Sequence, residues 1–88
     1  MDELDSFVMA GKVRQDILST LLKEGKKTPI LLAKALKIHS ASASRALLAL
    51  EKKGLVKCVT PDADHPRIYA ITELGKKTLE EVRAIVGE

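Results

Sequence analysis

The stretch that most constrains the fold runs from Ile38 to Val56 and reads IHSASASRALLALEKKGLV. Its apolar residues recur at i, i+4 and i+7 and therefore share one helical face: Ala43, Leu47 and Leu50. Either His39 or Ser40 serves as the N-cap, and Gly54 supplies the positive φ that commonly ends a helix. The pattern predicts a helix over about residues 40–53 with one face toward a core.

The opposite side of this helix carries short side chains and one arginine near its N-terminus. These residues are Ser40, Ala41, Ser42, Ser44 and Arg45. A helix with such a surface approaches another molecule closely, and base edges in the major groove of DNA pair with serine hydroxyls and arginine guanidinium groups. The composition favours DNA recognition by this helix.

A second, shorter helix is predicted directly before it. Thr28 and Pro29 are a good cap and first helical residue for a helix from Ile30 to Leu36, and residues 37–39 are just long enough for a turn. Helix, tight turn and helix at this spacing are typical of the DNA-binding helix-turn-helix.

Positive charge is concentrated in the same region. Residues 26–57 hold eight Lys or Arg and one Glu, which gives +7, whereas residues 1–25 (three minus five) and 58–88 (four minus six) each give −2. This distribution is what phosphate binding requires. The alternative is that these lysines are scattered solubilising residues.

The remaining segments read as helix, hairpin and helix. Residues 1–6 are expected to fray, and an apolar pattern from Phe7 to Lys23, with Gly11 as a possible interruption, predicts the first helix. Residues 55–60 and 67–71 are β-rich and flank a loop with two prolines and two aspartates, so they predict a β-hairpin. Thr72 is the expected cap of a last helix.

Two segments together resemble the winged-helix regulators of the ArsR and MarR type, especially the small single-domain ones of archaea. They are PILLAKALKIHSASASRALLALEKKGLV and RIYAITELGKKTLEEV, and the resemblance extends from about Arg14 to Val82. It implies one α+β winged helix-turn-helix domain over residues 1–88, with a three-helix core, a β-wing of two or three strands at about 55–71 and a C-terminal helix. It also implies a small strand near Lys27. Lys37 stands where this family usually has Gly.

The resemblance implies a transcriptional regulator that binds double-stranded DNA sequence-specifically through the recognition helix and the wing. The expected DNA-binding residues are Thr28, His39, Ser40, Ala41, Ser42, Ser44, Arg45, His65 and Arg67. The alternative is a winged helix that serves as a protein–protein interaction module in a transcription-related assembly.

A homodimer is expected because a chain of 88 residues buries only about 60% of its unfolded surface by itself. Apolar residues of the first and last helices are the expected interface: Phe7, Val8, Leu79, Val82, Ile85 and Val86. The alternative is that these residues pack on the core of their own chain.

Several functions are disfavoured. The only soft metal ligands, His39, Cys58 and His65, lack the spacing of a metal site, and no nucleophile with a base or Gly-rich phosphate loop is present, so neither enzyme activity nor a cofactor is expected. The sequence has no apolar run of eighteen residues and no signal peptide, so a cytoplasmic protein without membrane contact is expected.

Overall fold

The computed structural model describes residues 3–60 and 67–87. These ranges form α1 (Glu3–Met9), α2 (Lys12–Glu24), α3 (Pro29–Leu36), α4 (Ser40–Lys52), β1 (Val56–Cys58), β2 (Tyr69–Ile71) and α5 (Glu73–Val86). Residues of α1, α2, α3, α4, both strands and α5 contribute to one apolar core. The predicted α+β winged helix-turn-helix fold is confirmed.

The N-terminal segment differs from the prediction. A helix already begins at Glu3, where fraying was expected, because Leu4 and Val8 lie one turn apart and pack on the core. The chain leaves this helix after Met9, and Gly11 becomes the N-cap of α2. The single first helix of the prediction is therefore two helices with an elbow at Ala10–Gly11, and we call this junction the α1–α2 elbow.

Helix α3 has well-defined ends, the second of which begins the turn to α4. The Thr28 hydroxyl accepts a hydrogen bond from the amide of Leu31 at 3.2 Å, as expected for the cap of α3. At the other end Lys37 adopts φ 58° and ψ 45°, and the amide of Ile38 donates to the carbonyl of Ala33 at 3.0 Å. This is the left-handed turn that usually has glycine.

Helix α4 buries the predicted face. Ala43, Leu47 and Leu50 are fully buried. Beyond the helix, Gly54 has φ 79°, its amide donates to Glu51, and the amide of Leu55 donates to Leu50 at 2.9 Å. These bonds form a Schellman motif, which confirms Gly54 as the helix stop.

The two strands form the antiparallel wing, with Val56 opposite Ile71 and Cys58 opposite Tyr69. An isolated bridge joins Lys27 to Tyr69, and their backbone groups bond in both directions at 3.1 and 2.9 Å. The expected third strand is therefore this single bridge. Residues 61–66, which include His65, lie outside the described residues.

Helix α5 begins with the predicted cap, because the Thr72 hydroxyl accepts from the amide of Gly75 at 3.0 Å. The same hydroxyl donates to the carbonyl of Gly54 at 2.7 Å, which joins α5 to the end of α4. Gly75 lies against the Leu55 backbone, where a Cβ would collide with the carbonyl. The close approach of α5 to the wing therefore requires glycine.

The backbone of Lys37 generates the first testable prediction. It is the one non-glycine residue in the described ranges with positive φ, and this conformation is disfavoured by about 1–2 kcal/mol for a residue with a Cβ. We expect Lys37→Gly to raise the free energy of unfolding by about 1 kcal/mol, since part of the gain is offset by unfolded-chain entropy. Chemical denaturation measures it. Lys37→Ala removes the same charge but keeps the Cβ, so equal stabilisation by both variants would contradict the prediction.

Candidate nucleic-acid interface

The N-terminal half of α4 forms an open surface. Four of the residues predicted to bind DNA from this helix and its N-cap are exposed: His39, Ser40, Ala41 and Arg45. The other two, Ser42 and Ser44, are half-buried. His39 is the N-cap but its side chain makes no capping bond. The surface consists of short side chains with one long cation, which permits close approach to a duplex groove.

Arg45 is available to a ligand. Its guanidinium makes no ion pair or hydrogen bond to any residue of the described ranges, and neither Asp16 nor Glu51 pairs with it. Asp16 instead faces Lys12, with Nζ and Oδ2 3.7 Å apart. The structure therefore leaves all five guanidinium N–H donors free for bidentate contacts.

The lysines around the helix-turn-helix fall into two groups. Two are paired across short distances, Lys27 with Glu24 at 3.2 Å and Lys53 with Glu3 at 3.5 Å. Others form no ion pair within the described part of the chain and are exposed to solvent: Lys26, Lys34, Lys37, Lys52 and Lys57. The positive charge that the sequence concentrates between residues 26 and 57 thus remains largely uncompensated on the surface.

Thr28 and Arg67 are the two described residues of the prediction that lie outside α4 and its N-cap. Thr28 lines a groove of about 490 Å³ together with Lys26, Lys27 and Thr60. Arg67 is exposed before β2, at the loop end of the wing, and a side-chain hydrogen bond to Tyr69 raises the pKa of the guanidinium, so Arg67 stays charged. His65, the remaining wing residue of the prediction, is outside the described residues.

The dimer prediction needs correction at three positions. Val8, Leu79 and Val82 are 0%, 2% and 1% exposed, because they form part of the chain's own core, and no surface remains for a partner to contact. Phe7 is half-buried, with its ring under the guanidinium of Arg14 at 4.0 Å. Only two of the six residues retain a large exposed apolar surface, Ile85 and Val86, at 47% each.

One part of the surface was missed by sequence reasoning. The α1–α2 elbow and α4 enclose a cleft of about 390 Å³, which we call the elbow cleft; it is lined by Ala10, Gly11, Lys12, Val13, Arg14, Ser42, Arg45, Ala46 and Ala49. The segment before residue 26 has a net negative charge in the sequence. Only the packing of α2 on α4 brings Lys12 and Arg14 next to Arg45.

Other classes of site have little support in the described residues. No three His, Cys, Asp or Glu side chains within residues 3–60 and 67–87 come together as metal ligands. Cys58 is a free, half-buried thiol. None of the helices in these ranges has the length and apolarity that crossing a membrane requires.

The fold and the exposed face of α4 place the chain in the winged helix-turn-helix class. Helix α4, the second helix of the helix-turn-helix, carries small residues and Arg45 on that face. Residues 13–64, more than half of the sequence, match the model of the MarR family. The chain therefore belongs to the MarR family, which confirms the MarR part of the resemblance.

Solved structures show the same fold. The apo form of wild-type MarR from E. coli is 21% identical with a TM-score of 0.80, and the match covers 97% of this chain and 66% of that chain. Transcriptional regulator Tm0710 from Thermotoga maritima is 24% identical with a TM-score of 0.73, and the match covers 89% of this chain and 58% of that chain. A cysteine-to-serine mutant of Lactococcus lactis ZitR, in complex with DNA, is 25% identical with a TM-score of 0.70, and the match covers 84% of this chain and 51% of that chain. The chain thus spans less than two thirds of each; a comparison with curated proteins found no match.

If Arg45 is a free surface residue, its removal leaves the fold intact. We expect Arg45→Ala to change the free energy of unfolding by less than about 0.5 kcal/mol, as is usual for exposed positions without partners. Leu47→Ala, two residues further along the same helix but fully buried, should lower it by about 2–5 kcal/mol through a core cavity. Thermal and chemical denaturation compare them, and similar losses for both would show that Arg45 is structural.

Proposed function

We propose that this chain is the DNA-binding part of a transcriptional regulator and recognises double-stranded DNA sequence-specifically. Helix α4, the recognition helix predicted at about 40–53, enters the major groove with Ser40–Arg45 leading. The wing, at about 55–71, lies on the flanking backbone with Arg67 at the loop end of β2 and His65 in its loop, and Thr28 contacts a phosphate. The observation that carries the proposal is an unpaired Arg45 on an open face of short side chains.

Membership of the MarR family supports this function, and so does the likeness to a ZitR structure solved with DNA. The exposed lysines supply the sequence-independent attraction to phosphates, whereas Arg45 and the serines supply contacts to base edges. Arg45 is the residue we assign to guanine, since bidentate pairing with O6 and N7 is the commonest specific contact of arginine.

The rival function is protein binding by the same face. It is favoured by three large apolar residues that remain exposed on the helix-turn-helix, namely Ile30 at 59%, Leu31 at 49% and Leu48 at 54%. The two functions differ in their dependence on salt. DNA affinity falls steeply, with a log–log slope of about −0.9 for each phosphate neutralised, and an apolar protein interface weakens far less.

The proposal predicts the behaviour of Arg45→Ala on DNA. A site is first selected from a random duplex pool, and affinities are then measured by fluorescence anisotropy at several salt concentrations. We expect the variant to lose about 1–3 kcal/mol on the selected site and less on random DNA. Lys77→Ala, which removes one charge from an exposed position of α5, is the control. Equal losses on both duplexes would reduce Arg45 to a phosphate contact, and no binding by the unaltered chain at low salt would refute the function.

We further propose that the regulator acts as a homodimer through the exposed end of α5. A second copy that covers the exposed surface of Ile85 and Val86 would remove apolar area from water, which favours association. Two recognition helices would then contact half-sites about 10 bp apart, so the selected site should be a palindrome.

The dimer has its own test in analytical ultracentrifugation. We expect Ile85→Asp to weaken self-association by about tenfold or more, because it removes a buried aliphatic side chain and desolvates a carboxylate. Ile30→Asp, at a similarly exposed residue of α3, should leave self-association unchanged. A monomer for the unaltered chain at all concentrations would exclude this interface.

A further inference from the structure

We propose that the elbow cleft binds a phosphate of the DNA backbone beside the groove that α4 enters, so that Lys12 and Arg14 extend the DNA contact beyond the helix-turn-helix and wing. This inference rests on the proposed function. The juxtaposition of Lys12 and Arg14 on α2 with Arg45 on α4 around one cleft carries it.

The cleft shares two residues with the predicted recognition surface. Ser42 and Arg45 belong to the face of α4 that is proposed to meet the bases, and both also line the cleft. An α-helix with its side chains is about 10–12 Å across, and the major groove is about 12 Å wide. The flanks of an inserted helix therefore lie against the phosphates that border the groove. The elbow cleft is the flank of α4 on the side of α2.

The charges in the cleft are of one sign. Its lining contains Lys12, Arg14 and Arg45 and no acidic residue. The carboxylate of Asp16, outside the lining, is 3.7 Å from the Lys12 ammonium, whose side chain is 87% exposed. An ion pair so open to water is worth less than about 1 kcal/mol and gives way readily to a phosphate.

Arg14 is held in place before any ligand arrives. One of its guanidinium nitrogens, Nη1, donates to the carbonyl of Phe7 at 2.7 Å, and the group stacks on the Phe7 ring at 4.0 Å. The side chain crosses Gly11 closely, since a Cβ there would lie 3.0 Å from the Arg14 Cδ. A guanidinium fixed in this way loses little conformational entropy when it binds an anion, which favours a phosphate contact.

The rest of the cleft lining is mostly small and apolar. It includes Ala46 and Ala49 on α4, and Ala10 and Val13 on the side of the α1–α2 elbow. Short side chains leave room for a bulky sugar-phosphate backbone to approach the cations. A volume of about 390 Å³ is more than one phosphodiester group needs, and the cleft is open to solvent, so a continuous strand can pass across it.

The test compares salt dependence on a fixed duplex of about 30 bp, because phosphate contacts do not depend on sequence. We expect Lys12→Gln to reduce the magnitude of the log–log slope by about 0.9, and the double variant Lys12→Gln/Arg14→Gln by about twice that. At about 0.1 M salt the single change corresponds to roughly eightfold weaker binding. Lys77→Gln on α5 removes the same charge from an exposed position that does not line the elbow cleft, and it should leave the slope unchanged.

The outcomes separate the two proposals. Lys12 is so exposed that its replacement should not disturb folding, and thermal denaturation of each variant checks this. If the unaltered chain binds the duplex with a steep slope and Lys12→Gln keeps that slope, the elbow cleft does not bind phosphate, although the proposed function stands. If Lys77→Gln lowers the slope as much as Lys12→Gln does, the effect is one of net charge and the cleft is again excluded. Failure of the unaltered chain to bind any duplex refutes the proposed function itself.

Discussion

Burial of one stripe of α4 determines which of its residues are left for a ligand. Ala43, Leu47 and Leu50 have no exposed surface, and a helix turns by about 100° per residue. A shift of two positions in this register would turn the helix by about 200° and would bury the face that carries Arg45. The hydrophobic contacts in the core therefore orient the proposed DNA contacts, even though no core residue would touch DNA.

Both ends of α4 are fixed as well, which matters because the proposed recognition side chains are short. The left-handed turn at Lys37 sets the start of the helix, and the Schellman motif at Gly54 sets its end. The hydroxyl of Thr72 then joins Gly54 to α5. Serine and alanine side chains are too short to compensate for a displaced helix. A binding surface made of short side chains therefore needs a more rigidly positioned helix than a surface made of long side chains.

Much of this arrangement was predictable because it follows from local patterns. The apolar period of α4, the caps Thr28 and Thr72 and the β-rich runs on either side of the wing each involve residues close together in the chain, and the structure has them as expected. Charge counting also located the basic region, since the lysines between residues 26 and 57 are exposed in the structure except for Lys27. The break at Gly11 was left open by the sequence, because a glycine inside a helix costs only about 0.5–1 kcal/mol and does not by itself end the helix.

What could not be predicted depends on which elements meet. An apolar stripe on a terminal helix has the same sequence pattern whether it faces its own core or a second copy, and for Val8, Leu79 and Val82 the answer was the core. The grouping of cations around the elbow cleft could not be predicted for the same reason. Lys12 and Arg14 lie about thirty residues before Arg45, and the segment that contains them has a net negative charge. Phe7 of α1 contacts both regions: its ring centre lies 4.0 Å from the guanidinium carbon of Arg14 and 5.6 Å from the ammonium of Lys53, at the end of α4. The placement of Arg14 in the elbow cleft thus depends on a contact with α1 that no local sequence pattern indicates.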